Sequence, residues 1–258
     1  MNGGRANIAC TSPPYSSQRA YDAESEFRPI PPDEYVEWFA AVQENVRAHL
    51  TADGSWFVNI KAHCAEGERH TYVLDLVLAH KRRWGWLFVD ELCWVRAGVP
   101  GAWPNRFKNA WEPVFHFSTQ AAIKFRPDAD SHPSVHVFDY SPDNGKSVSG
   151  SGLLGKEHAS GFRDGLARPG NVIEIGSGGA KVTGEHPAEF PVGLPRWFIL
   201  AYSDEGDAVY EPFAGSGTTL VAAEQIGRVG YGMEISPRYA AVILERLASM
   251  GLEPRRAA

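Results

Sequence analysis

The stretch Glu211-Pro212-Phe213-Ala214-Gly215-Ser216-Gly217-Thr218-Thr219 decides the fold of this chain. It stands between an apolar run that predicts a strand over 208–213 and a run that predicts a helix over 216–226. A strand that ends in an acid, turns on glycines and feeds a helix leaves backbone N–H groups at the strand's carboxyl edge. Open α/β sheets bind ligands in that crevice. Gly215 and Gly217 permit unusual dihedrals and let a ligand lie against bare backbone. Glu234 ends the next predicted strand, 229–234, where a carboxylate can accept hydrogen bonds from both hydroxyls of a ribose. A final helix is predicted over 237–250.

Outward from this point the same alternation continues. A buried strand is predicted over 6–11. A helix follows over 33–50, with Tyr35, Trp38, Phe39, Val42, Val46 and Leu50 on one side and Asp33 as its N-cap. After an Ala52-Asp53-Gly54 turn come a strand over 55–60 and a helix over 71–83, then strands over 87–95 and 111–117. Residues 119–180 lose the pattern and gather Pro, Gly, Ser and Asp. Regularity returns with a helix over 195–203. Strands and helices in this order predict an α/β sandwich with a largely parallel sheet. The chain divides into a half over 1–118, an insertion over 119–180 and a cofactor half over 181–258.

Composition sets the frame. At 258 residues, 43% hydrophobic and 22% charged, the chain suits one substantial core. No apolar run is long enough to cross a bilayer, and no apolar secretory region begins the chain. Cys10, Cys64 and Cys93 are too few and scattered for a disulfide framework, so a reducing cytoplasm is the expected location. The net charge of -6 runs against a nucleic-acid partner. Cations concentrate between Lys81 and Arg126, however, and a locally basic segment on an acidic protein can still bind DNA. His63, Cys64 and His70 lack a fourth ligand at a recognised spacing, so no metal is expected.

A second segment, Ser12-Pro13-Pro14-Tyr15, follows the first predicted strand. Two prolines fix the dihedrals and withhold N–H donors, leaving carbonyls and the Ser12 hydroxyl to accept from the same small space. An exocyclic amine, with two N–H donors, suits such acceptors, and Tyr15 adds a flat face on which a base can stack. No GxxxxGK[ST] pattern occurs, which argues against a P-loop nucleotidase. The spacing of Gly215 and Gly217 does not supply the three glycines of a dinucleotide oxidoreductase.

The two motifs together resemble the signature of S-adenosylmethionine-dependent DNA amino-methyltransferases, with the base motif first and the cofactor motif last, as in the family's permuted, β-type order. The likeness extends through 54–60, 90–95, 106–117 and His186-Pro187-Ala188-Glu189-Phe190-Pro191. It implies a Rossmann-like methyltransferase sandwich with S-adenosylmethionine as cofactor. Glu211, Phe213, Ala214, Gly215, Ser216, Gly217 and Thr218 would hold the methionine part, Glu234 the ribose, and His186 and Pro187 would lie against the cofactor. Ser12, Pro13, Pro14 and Tyr15 would form the catalytic pocket. Ser ahead of Pro-Pro-Tyr leans toward cytosine N4 in the family pattern, with adenine N6 the alternative.

The resemblance places target recognition in the 119–180 insertion. Arg106, Lys108, Lys124, Arg126, Lys146, Lys156, Arg163 and Arg168 are the candidates for DNA contacts. Two departures stand out. The family usually has Asp where Glu211 stands. Its permuted members also place a helix and a Gly-Asp strand end ahead of the base motif, so a second copy or an additional N-terminal segment is expected to complete the sheet. Two other classes keep parts of the pattern. One methylates a protein glutamine amide, and the other is a non-catalytic DNA-binding subunit with this fold.

Overall fold

The computed structural model describes residues 4–16, 27–96, 104–129, 169–176 and 190–255, with the backbone of paired strand residues at 132–133, 162–163 and 166–167. The amino-terminal elements are β1 (Ala6–Thr11), a 3-10 turn (Pro32–Glu34), α1 (Tyr35–His49) and β2 (Leu50–Asn59). A small hairpin of β3 (Cys64–Ala65) and β4 (Glu68–Arg69) leads to α2 (Tyr72–Arg82), β5 (Leu87–Val95) and β6 (Trp111–Ser118). Short strands β7 (His132–Pro133), β8 (Phe162–Arg163), β9 (Leu166–Ala167) and β10 (Val172–Ile173) come next. The chain then forms α3 (Gly193–Tyr202), β11 (Ala208–Glu211), α4 (Thr218–Gln225), β12 (Val229–Gly232) and α5 (Pro237–Ser249).

Seven strands form the central sheet in the order β10-β5-β6-β2-β1-β11-β12. Every neighbouring pair is parallel except those made by β6, which runs against both β2 and β5. The carboxyl ends of β1, β2, β5, β11 and β12 therefore share one edge, and β6 begins there. The expected Rossmann-like sandwich is the observed one. β10, drawn from the 119–180 insertion, pairs Val172 with Cys93 and Ile173 with Trp94, so part of that segment belongs to the central sheet.

Side-chain alternation along β2 builds both layers. Trp56 and Val58 enter the core under α1 and α2 with Tyr35, Phe39, Tyr72 and Leu76. Phe57 points the other way, into the core under α3 and α4 with Ile8, Phe198, Ile199, Val209 and Ala222. Burial of side chains this large stabilises by roughly 1.5–3 kcal/mol each. α5 closes the second layer by packing Ile243 and Leu247 on Leu220 and Val221.

Two local expectations are corrected. Asp33 does not cap α1: it sits inside the Pro32–Glu34 turn, and the N-cap position is Glu34, which makes no side-chain capping bond. Ala52-Asp53-Gly54 is not a turn, because α1 passes directly into β2 at Leu50 and those residues are already strand. Gly54 serves close packing there, since a Cβ on it would meet Leu50 Cγ at 2.6 Å and the Asn7 carbonyl at 3.0 Å.

Candidate active site

The cofactor turn leaves β11 at Glu211 and enters α4 after Gly217. Gly215 and Gly217 hold φ of 53° and 80°. A Cβ on Gly217 would come 3.0 Å from Ile243 Cγ1, so the turn needs bare backbone for both its dihedral and its packing. Glu211 lies beneath it, 2% exposed. Its carboxylate accepts from the Phe213 N–H at 3.1 Å and from the Thr219 hydroxyl at 3.0 Å. Burial, with Glu234 nearby, pushes this carboxyl well above the ordinary carboxylate value, against the lowering effect of those two donors. Both contacts make Glu211 a brace for the turn, a role that residue type and spacing alone did not reveal.

Glu234 stands two residues beyond β12. One of its oxygens accepts from the Gly215 N–H at 2.7 Å and the other from the Ser236 N–H at 2.8 Å. The carboxylate is half-exposed beside the glycine turn. Phe213 packs its ring on Trp38 of α1, 5.9 Å between centroids. The bare glycine backbone and the adjacent acid fit the amino-acid and ribose parts of S-adenosylmethionine.

The base loop is pinned at three successive residues. The Tyr35 hydroxyl of α1 donates to the Pro14 carbonyl at 2.7 Å. The Tyr15 hydroxyl donates to Glu112 of β6 at 3.0 Å, and the Ser16 hydroxyl to the Ile30 carbonyl at 2.7 Å. The Pro14 carbonyl is therefore engaged by α1, while Ser12, just past β1, lines the cleft beside Glu211.

β1 and β11 are neighbours, with Ala9 opposite Tyr210, so the two motifs emerge side by side. A small cleft, half open to solvent, is lined by Ser12 of the first motif and Glu211 of the second. Phe57, Phe190, Leu194 and Phe198 form its apolar wall. Asn59, at the end of β2, also lines it, and its amide donates to the Pro113 carbonyl at 3.0 Å. Cys10 lies at the floor, where burial and Glu211 push its thiol pKa well up.

The cations divide by edge. Arg106 and Lys108 precede β6 and so stand near the cleft's edge, flanking Phe107, which is 97% exposed. Lys124 and Arg126 are held at the opposite edge. Lys124 pairs with Asp204 at 2.8 Å and Asp207 at 2.6 Å, just ahead of β11, and Arg126 pairs with Asp204. The structure thus does not bring Lys124 or Arg126 to the cleft. Lys146, Lys156, Arg168, His186 and Pro187 lie outside the described residues, and Arg163 is described only as backbone paired with Leu166. Among the described residues no three His, Cys, Asp or Glu side chains group as a metal site.

Asn59, which lines the cleft, and Glu112, which holds the Tyr15 hydroxyl, are residues that sequence reading did not single out.

Comparison with known proteins agrees with this fold. The chain is 26% identical over 264 residues to the Type II methyltransferase M.PvuII of Proteus hauseri, covering 91% of this chain and 76% of that one. It is 27% identical to the orphan methyltransferase M.BamHII of Bacillus amyloliquefaciens, covering 93% and 88% of the two chains. Among solved structures, the PvuII DNA methyltransferase (cytosine-N4-specific) superposes with a TM-score of 0.68 at 22% identity, covering 99% of this chain and 84% of that one. The M1.HpyAVI complex with S-adenosylmethionine superposes at 0.58 and 17% identity, covering 95% and 90%. The DNA methylase family profile matches residues 6–245. The chain therefore belongs to the N6/N4 DNA methylase family, amino-methyltransferases that act on DNA with S-adenosylmethionine as methyl donor.

Proposed function

We propose that this enzyme methylates the exocyclic N4 amine of a cytosine turned out of a DNA duplex. The observation that carries the reading is the shared cleft, in which Ser12 of the base loop and Glu211 of the cofactor turn line one space. When bound, S-adenosylmethionine supplies an electrophilic methyl on a sulfonium sulfur. The backbone from Phe213 to Thr218 cradles its amino-acid part, Glu234 holds the ribose, and His186-Pro187 flanks it. The Ser12 hydroxyl and the Asn59 carbonyl oxygen accept from the amine, which localises the nitrogen lone pair and aims it into the cleft. Catalysis then rests on positioning and preorganised hydrogen bonds. Cys10, buried with a raised pKa, is no nucleophile.

Tyr15 offers a stacking face, contributing ~1–3 kcal/mol for one base. That offsets part of the roughly few kcal/mol that extrusion costs. Arg106 and Lys108, with Phe107 between them, supply phosphate-binding and stacking chemistry at the same edge. Lys146, Lys156, Arg163 and Arg168 of the insertion are the remaining DNA contacts of the proposal. Two observations favour cytosine. Ser precedes Pro-Pro-Tyr, and the PvuII enzyme, described as cytosine-N4-specific, shares the fold.

Incubation with methyl-labelled cofactor and mixed-sequence duplex, followed by digestion to nucleosides, tests the reading. Label in N4-methylcytosine is expected. Label in N6-methyladenine alone would move the target to adenine, and unlabelled DNA would refute the activity.

A further inference from the structure

Tyr15 sits on a loop, yet its hydroxyl is anchored outside that loop. It donates at 3.0 Å to Oε2 of Glu112, ninety-seven positions away on β6. The other oxygen of Glu112 is taken by the Arg96 guanidinium, just past β5. Glu112 is buried, and its strand position is fixed by pairing with Trp94 of β5. Arg96 is held in turn over the Trp94 ring, 5.2 Å from its centroid, and its N–H bonds the Ala110 carbonyl at 2.7 Å. From the end of β1 the tether therefore crosses the end of β2 and lands on the β5–β6 pair.

An aromatic ring with a free hydroxyl turns about its side-chain bonds. One whose hydroxyl is bonded to a buried carboxylate has its plane set, and that carboxylate cannot swing because a guanidinium holds it. We infer that Glu112 is a positioning residue for the target base: it fixes the plane of the Tyr15 ring, and Arg96 fixes Glu112. This rests on the proposal that Tyr15 stacks the extruded base. The order of a stacking surface is thereby set by two strands of the central sheet. Pre-organising a binding surface in this way removes an ordering cost from the encounter with substrate.

The test compares wild type with Tyr15→Phe, Glu112→Gln, Glu112→Ala and the Tyr15→Phe/Glu112→Ala pair. It reads kcat and KM for DNA, cofactor affinity, and the fluorescence of 2-aminopurine placed at the target position. Each variant removes a hydrogen bond to a charged group, so Tyr15→Phe and Glu112→Ala should each lower kcat/KM for DNA about tenfold or more. The double variant should be no worse than the poorer single one. Glu112→Gln keeps an acceptor and should recover most of the loss, with cofactor affinity unchanged throughout. The 2-aminopurine signal, which stacking on Tyr15 quenches, should depart from the wild-type value in the same order as kcat/KM.

Multiplicative losses in the double variant would overturn the inference. So would a Glu112→Ala enzyme whose melting temperature falls while its kcat/KM and fluorescence stay at wild-type values. Either result with an active wild type defeats the inference alone. A wild type that methylates no DNA defeats the functional proposal beneath it, and the inference with it.

Discussion

The backbone N–H of Gly215 donates to the Glu234 carboxylate across 2.7 Å, tying the cofactor turn to the loop beyond β12. The same carboxylate accepts from the Ser236 N–H at 2.8 Å, where α5 is about to begin. Glu234 thus joins the glycine turn to the start of α5, and in the proposed function it also holds the ribose. Glu234→Gln should weaken S-adenosylmethionine binding by about tenfold to a hundredfold, the scale of a lost charge-assisted hydrogen bond. Isothermal titration calorimetry would read it, and unchanged affinity would count against the ribose assignment.

Glu211 predicts a pH dependence of opposite sign to that of an ordinary paired acid. Its folded pKa is raised, chiefly by burial, so the folded state holds the proton more tightly than the unfolded chain. Stability from this group is fully present below the unfolded value of 4.5 and declines as pH rises through the elevated folded value. Glu211→Gln keeps the shape and removes the titration, so its melting temperature should lack this decline. Parallel curves for the two proteins would refute the assignment.

Two imidazoles act in the acid range. His80 and His116 are fully buried, and burial lowers their pKa from 6.5 to about 4 and about 3. Between pH 6.5 and about 3 the unfolded chain binds protons that the folded chain refuses, so stability should fall with acid across that window. His116 stacks on Phe57 and bonds the Ser55 hydroxyl at 2.9 Å, so His116→Gln retains a polar partner without the titration. Denaturant midpoints measured against pH should show a shallower acid slope in that variant. An identical slope would exclude His116 as a contributor.

Gly217 should tolerate no side chain. Its φ of 80° costs an L-residue roughly 1–3 kcal/mol, and Ile243 stands in the way of the added carbon. Gly217→Ala is expected to lower the melting temperature by several degrees and to weaken cofactor binding. The adjacent site, by contrast, should keep DNA affinity measured without cofactor. A wild-type melting curve would show that the turn is not strained in this sense.

Much of the fold was legible because local signals and burial agree. The apolar strand over Ala6–Thr11, the aromatic-bearing β5 and β6, and the acid-glycine turn after β11 each read the same way at both levels. Ala52-Asp53-Gly54 misled because turn-forming composition there serves a tight strand crossing, where Gly54 admits Leu50 and the Asn7 carbonyl. Asp33 misled because Pro31 and Pro32 extend the helix start into a 3-10 turn. At the site, the motifs carried the glycines, Glu234 and Ser12. The contacts among Tyr15, Glu112 and Arg96 depend on the pairing of β5 with β6, and the ion pairs of Lys124 and Arg126 with Asp204 and Asp207 join residues distant in sequence, so neither could be read from the sequence.

The most direct measurement is methyl transfer by Ser12→Ala, read beside its affinity for S-adenosylmethionine. If the amine docks on Ser12 at the lip shared with Glu211, transfer should drop about a hundredfold or more, the cost of losing one preorganised hydrogen-bonding group, with cofactor affinity unchanged. A variant that binds cofactor poorly, yet transfers normally per bound cofactor, would contradict the account.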